Sequence, residues 1–326
     1  MKTALVTSIG SVAGDIVIKS LKQHNYRVVG CDIYPKEWVV DANNVDAFYR
    51  APLSVNTQSF LSFIKEICLN ERINYILPLT DIDVDFFNNN RDWFIENGIC
   101  LCISPQNSLD IIRNKKKLAD YIDINCPDIN TIPTRMLSSV LEDIPWKFPL
   151  VCKPYDGRSS QGLRFIYTNE EWEQFKQTAD QKKYIVQPYI EGECVMVEIV
   201  RQSEPHNVVA ITRLGSLLRT SNNCGLTVYI YQDKLLEEAC KKMADVLGVI
   251  GCVNFEFLRC KDGTYYLVEC NPRFSAGCEF SCMAGYDCVG NHMRAFNHLS
   301  IDDFEFKHNM YMARKYEEYI TKIEED

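Results

Sequence analysis

The 326-residue sequence lacks any apolar run of the roughly 18 residues that a membrane-spanning helix needs, so no membrane partner is expected. The opening "MKTALVTSIG" holds an apolar run far too short for a secretory leader, and a cytoplasmic location is expected. There is no basic excess. Lys and Arg number 35 against 44 Asp and Glu, a net charge of −9 that argues against a nucleic-acid-binding surface. Neither C-x-x-C nor H-E-x-x-H occurs. The 15 cysteines, an odd count, are expected to be reduced and mostly buried. Cys278 and Cys282 stand four apart, with no second pair or His expected beside them. No internal repeat or low-complexity tract is present, and no Walker A loop.

What is present falls into two rhythms. Up to about residue 105 strand and helix alternate: "TALVTSI", "GDIVIKSLKQ", "YRVVGCDI", "TQSFLSFIKEICLNE", "YILPLT", "DVDFFNNNRDWFIENG", "ICLCIS". This β-α-β order predicts a parallel, doubly wound sheet. One further helix is expected from Asn107 to Ile124. After Phe148 strands dominate, with helices at "NEEWEQFKQTAD", "DKLLEEACKKMADVLG" and "CVGNHMRAFNHL", which predicts an α+β region with mostly antiparallel sheets. The late helix is expected to carry His292 and His298 in structural or solvated roles. The acidic end "EEYITKIEED" reads as a solvated tail.

The segment "VNFEFLRCKDGTYYLVECNPRF" carries the sharpest signal. Asp262-Gly263 suits a two-residue type I′ loop between two strands. Lys261 would then face Thr264, Glu256 would face Glu269, and Asn254 would face Asn271. With period-two alternation these four share one face, while Phe255, Phe257, Val268 and Cys270 share a core face. Facing carboxylates lie roughly 4.5–5.5 Å apart at Cβ and repel. Either a hard divalent cation such as Mg²⁺ neutralises them, or they are solvated acids on an exposed hairpin. Arg273 follows directly and could reach a phosphoryl group.

Other stretches are weaker alone. "SIGSVAG" follows a strand and opens a helix, with Asp32 22 residues after Gly10, but Ser8 replaces the first glycine of a dinucleotide fingerprint. It reads as a structural turn, with a nucleotide-dependent oxidoreductase as the rival. In "VCKPYDGRSSQGL" a strand delivers Lys153 to a loop with Gly157, Ser159, Ser160 and Gly162, suited either to phosphates or to a flexible hairpin tip. "YIVQPYIEGECVMVEIV" places Pro188 where a central strand would lose a donor, as at an edge or beside a ligand. Arg213 and Arg219 flank "LGSLL" and could hold an acidic substrate or lie on the surface.

The order of these elements resembles the ATP-grasp superfamily, and "VECNPRFSAG" looks most like one ATP-grasp half of the carbamoyl-phosphate synthase large chain. The resemblance covers nearly the whole chain. It implies an α/β fold with a Rossmann-like pre-ATP-grasp domain (1–105), an ATP-grasp N-terminal subdomain (106–190) and a C-terminal subdomain (191–326). It implies ATP and Mg²⁺ (or Mn²⁺) as cofactors, and Lys115 and Lys153 on the phosphates. Gly157, Ser159, Ser160 and Gly162 would form the triphosphate loop, and Gln187, Pro188, Tyr189 and Ile190 the adenine hinge. Glu256, Glu269 and Asn271 would be the metal ligands, with Lys153 and Arg273 catalytic. The place of the family's ribose-binding Glu holds Cys194, with Glu193 one residue earlier as its substitute. The implied activity is an ATP-dependent, ADP-forming ligase that activates a carboxylate as an acyl phosphate for an amine or similar nucleophile. A non-catalytic ATP-binding subunit is the second rival, and association as a homodimer is left open. The chain has room for one ATP-grasp half only, so it is not expected to be a whole synthase.

Overall fold

A computed structural model describes residues 1–158, 160–219 and 225–324, without the side chains of Ser216 and Arg219. The first sheet is parallel, with strands β1 (Thr3–Thr7), β2 (Arg27–Asp32), β3 (Ala47–Arg50), β4 (Tyr75–Pro78) and β5 (Cys100–Leu101) in the order β3-β2-β1-β4-β5. Its connections include helices α1 (Gly14–Gln23), α2 (Thr57–Asn70), α3 (Asp81–Asn89) and α4 (Arg91–Glu96). The near-continuous apolar strands expected of a sheet covered on both faces are seen in the fully buried β1 and β4. The single helix expected over "DVDFFNNNRDWFIENG" is divided at Asn90, whose amide donates to the Phe86 carbonyl at 2.8 Å and ends α3.

The helix expected from Asn107 to Ile124 is likewise two, α5 (Gln106–Ile112) and α6 (Lys115–Asn125). The reason is local. The Asn114 side chain accepts from the amides of Lys116 and Lys117, both at 3.0 Å, and so caps a new helix. This break puts Lys115 at the first position of α6.

The remaining strands form two sheets. The second has the order β7-β10-β8-β9, from β7 (Arg135–Met136), β8 (Leu150–Pro154), β9 (Arg164–Ile166) and β10 (Tyr184–Pro188), with helix α7 (Asn169–Thr178) packed on it. It has its own small core, with Leu137, Leu150, Cys152, Trp172 and Val186 among its buried members. The third sheet has the order β16-β13-β12-β11-β14-β15-β6. Its strands are β6 (Asn130–Thr131), β11 (Glu193–Gln202), β12 (Asn207–Arg219), β13 (Gly225–Ile230), β14 (Gly251–Arg259), β15 (Tyr265–Asn271) and β16 (Met310–Ala313). All its pairings are antiparallel except β15 with β6. Helices α8 (Lys234–Leu247), α9 (Cys278–Met283) and α10 (Cys288–Phe296) complete the chain. The fold is thus α/β, a Rossmann-like parallel sheet followed by mostly antiparallel sheets. The cores of the first and third sheets are continuous: Leu5 and Ile76 share one cluster with Val197 and Phe255. His298 lies beyond α10 with a positive φ of 56°, so it does not share the helix with His292.

Candidate active site

The β14–β15 hairpin places the acids. Asn254 pairs with Asn271, Phe255 with Cys270, and Glu256 with Glu269. The route to that register differs from the expected one. The loop holds three residues, Lys261 to Gly263, because the Cys260 amide donates to the Thr264 carbonyl (2.8 Å) and the Gly263 amide to the Cys260 carbonyl (3.0 Å). One positive φ, 87° at Gly263, is enough for this turn, whereas type I′ needs two. Phe257 therefore pairs with Leu267, and the register shifts by one between there and Glu256. Val268 is the extra residue of that β-bulge and is only half-buried; Leu267 takes its expected place in the core. The two irregularities cancel, so the acid face appears where the simple turn predicted it.

The counter-charge also differs. Lys115 Nζ lies 3.0 Å from Glu269 Oε2 and donates to the Gly157 carbonyl at 2.6 Å. Burial would raise the Glu269 carboxyl, but Lys115 and Lys153 hold it below its ordinary range. Lys153 itself, on β8, is lowered to about 8, because burial outweighs the attraction of Glu269 and Glu256 and Lys115 adds repulsion. Asn271 Nδ2 donates to Glu256 Oε1 at 2.9 Å. Its Oδ1 accepts from Arg273 at 3.3 Å. Arg273 also meets the buried Asp81, 3.0 Å away at the start of α3. Burial would raise Asp81 too, but Arg273 and then Arg113 keep it low. Asp81 and Arg113 were not legible as site residues. "LTDID" reads as a helix start, and only the topology brings it to Arg273.

A cavity of about 320 Å³ opens over this face. Its lining joins Glu256, Glu269, Asn271 and Arg273 to Arg213, Asn254 and Ser160. Asn254 has neither a donor nor an acceptor partner for its buried amide. Arg213 is fully buried, with hydrogen bonds to Glu198 (2.8 Å), Ser275 (2.7 Å) and Ser281 (3.0 Å), leaving only Nε without a partner. A Cβ on Gly277 would lie 2.7 Å from that Nε, so glycine keeps the approach open. Glu198 stands on β11, and only the pairing of β11 with β12 and the segment after β15 bring it to Arg213 and Ser275.

The other expected residues stand as follows. Gly162 has φ 75° and its missing Cβ would meet Pro154 and the Tyr184 hydroxyl at 2.9 Å. Ser159 lies outside the described residues, as does the Arg219 side chain. Gln187 is buried and donates to Thr134 at 2.7 Å; Pro188 ends β10 opposite Leu150, and the Tyr189 amide donates to the Pro149 carbonyl. Glu193 pairs with Arg259 at 2.7 Å. In "SIGSVAG" the Gly10 amide donates to Asp32 at 2.8 Å, so that loop and that acid hold each other.

The comparisons agree with this geometry. A family profile described as "ATP-grasp in the biosynthetic pathway with Ter operon" matches residues 180–318. The carbamoyl phosphate synthase large chain of Saccharolobus islandicus is 25% identical over 265 residues, 76% of this chain and 24% of its own length. The chain thus spans about a quarter of that relative. The 3-methyl-D-ornithine–L-lysine ligase of Methanosarcina barkeri is 24% identical over 84% of this chain and 67% of its own. The biotin carboxylase domain of Hydrogenobacter thermophilus 2-oxoglutarate carboxylase, solved with MgADP, ADP and bicarbonate, superposes with a TM-score of 0.78 at 17% identity. That match covers 96% of this chain and 74% of the other.

Proposed function

We propose that the chain, which resembles a single ATP-grasp half of the carbamoyl-phosphate synthase large chain, is an ATP- and Mg²⁺-dependent, ADP-forming ligase that joins a carboxylate to an amine or similar nucleophile. The observation that carries the reading is the register: Glu256 directly opposes Glu269, with Asn254 and Asn271 on the same face of a cavity. Opposed carboxylates destabilise a sheet unless a cation joins them. Their oxygen-only donor set, and the unpartnered amide of Asn254, fit a hard ion bound with phosphates. Glu256, Glu269 and Asn271 would hold Mg²⁺. Its contribution, when bound, is to neutralise phosphate charge.

The chain's own residues supply the rest. Lys115 and Lys153, beside the acids, take the phosphates. Backbone amides of Gly157, Ser160 and Gly162 close over them, with Ser159 in the same loop. The segment from Gln187 to Ile190 reads adenine and Glu193 the ribose, exchanging its Arg259 pair for a hydroxyl. The substrate carboxylate binds beside Arg273 in the cavity that Arg213 also lines. Its oxygen attacks the γ-phosphorus, ADP leaves, and Arg273 stabilises the charge that develops. The nucleophile then attacks the acyl carbon, releasing inorganic phosphate. Positioning and electrostatics carry such a reaction, so no nucleophilic side chain is required. The division at 105 and 190 belongs to this reading, with Lys115 on α6, Lys153 on the second sheet and the acid face on the third.

The test is ADP formation across a panel of carboxylates and amines. Turnover that requires both Mg²⁺ and one carboxylate supports the ligase. Tight ATP binding without turnover on any carboxylate supports a nucleotide-binding regulator instead.

A further inference from the structure

Three thiols of one short segment, Cys278, Cys282 and Cys288, meet the more distant Cys252 near the start of β14, away from the hairpin turn. Cys278 and Cys282 lie one turn apart on α9, Cys288 begins α10, and Cys252 is near the start of β14. The sulfurs of Cys278, Cys282 and Cys288 all lie within 4.8 Å of one another. The Cys252 sulfur lies within 4.8 Å of that of Cys278 and of a Glu198 carboxylate oxygen, to which its thiol donates at 3.3 Å. We propose that these four cysteines form a Zn²⁺ site, independent of the Mg²⁺-phosphate centre. Two sulfurs on one zinc stand roughly 3.8 Å apart, from bonds of about 2.3 Å in a tetrahedron. The observed spacing is thus within an ångström of a closed site. Zinc has no geometric preference of its own, which suits four ligands on two helices and a strand.

The surroundings agree. Cys252, Cys278 and Cys288 are buried and Cys282 is half-exposed, so an ion has an entry side and thiols to receive it. Cys278 directly follows Gly277, and Ser275 of the same segment bonds both Glu198 and Arg213. A metal on these thiols pins the segment that walls the cavity beside Arg213.

The test uses the full chain, reduced and freed of metal, titrated with Co²⁺ as a spectroscopic stand-in for zinc. One equivalent should bind with a thiolate-to-cobalt charge-transfer band, and Zn²⁺ should displace it. Cys282→Ser, at the half-exposed position, should weaken binding at least tenfold, and Cys282→Ser with Cys288→Ser should remove the band. Glu269→Gln should leave the band intact, since an oxygen site gives none; this keeps the result separate from the ligase reading. Absence of the band in wild-type protein whose thiols titrate as reduced would overturn the site. So would a band that survives the double serine variant.

Discussion

Two clusters of charge sit on the same sheet, one fully buried and one half-buried, and differ in how far they are satisfied. Glu198 and Arg213 are both fully buried. Ser275 serves both, Ser281 serves Arg213, and the Cys252 thiol serves Glu198. At the Glu256–Glu269 pair the balance is looser: Lys153 has a depressed pKa, and the buried Asn254 side chain has no partner. A buried polar group without a partner costs on the order of 1–3 kcal/mol, so a fold retains it only under another constraint. The first cluster is closed except at Arg213 Nε, and the second leaves the Asn254 amide open to the cavity, as the proposed Mg²⁺-phosphate role requires.

The comparison breaks first at Glu198. Removing one partner of a closed buried pair leaves a charge uncompensated, at a cost of about 3–5 kcal/mol. Glu198→Ala should lower unfolding stability by that amount in urea titration, with or without nucleotide. A loss below about 1 kcal/mol would mean that the pair is not the anchor its burial implies.

The open cluster should respond in the reverse way. Glu256→Gln should cut Mg²⁺-dependent ADP formation by roughly 10²–10³-fold, as loss of one electrostatic contributor to a transition state does. The melting temperature without nucleotide should stay level or rise, because one of two facing charges is gone. Glu269→Gln should lose as much activity but also melt lower, since Lys115 then loses its carboxylate at 3.0 Å. If both variants melt clearly lower, the acids are structural.

A third effect is set by pH. Lys153 has a folded pKa of about 8 against 10.5 for the ordinary side chain. The unfolded chain thus binds the proton more tightly, and this residue's contribution to stability rises as pH climbs from about 8 to 10.5. Nucleotide reverses the preference, because phosphate oxygens favour the ammonium. ATP affinity should therefore fall as pH rises through about 8, and binding near that pH should take up a proton. Calorimetry in buffers of different ionisation enthalpy reads that uptake. Lys153→Met should abolish both the uptake and the slope; uptake that persists in Lys153→Met assigns it to another group.

Much of this was legible in the sequence, for a physical reason. Strand period is local, so the shared face of Glu256 and Glu269 could be read from one segment, but their register matched only because the bulge at Val268 offset a turn one residue longer than expected. The parallel sheet follows from the alternation of its elements. What local pattern cannot supply is the meeting of distant segments. Asp81 reaches Arg273 across 192 residues. Cys252 and Cys288 reach Cys278 and Cys282 only because α9 and α10 fold back on β14. The helix break at Asn114 lay within reach, since Asn is a strong cap, but the apolar period ran through it.

The smallest effect separates the two ends of the same hairpin. At the turn Gly263 has φ 87° and nothing within 4 Å of a Cβ placed there. An alanine would meet no neighbour, and the cost is that of the left-handed backbone alone, about 1 kcal/mol. Gly263→Ala should lower stability by that much. It should leave ADP formation and ATP affinity unchanged, because the bulge at Val268 lies between the turn and Glu269, and the pairing of Glu256 with Glu269 is fixed on its other side by Phe255 with Cys270 and Asn254 with Asn271. A one-residue slip would send every following side chain to the opposite face. If Gly263→Ala also reduces turnover tenfold or more, the turn rather than the bulge sets the register at the acids, and the open cluster depends on its far end.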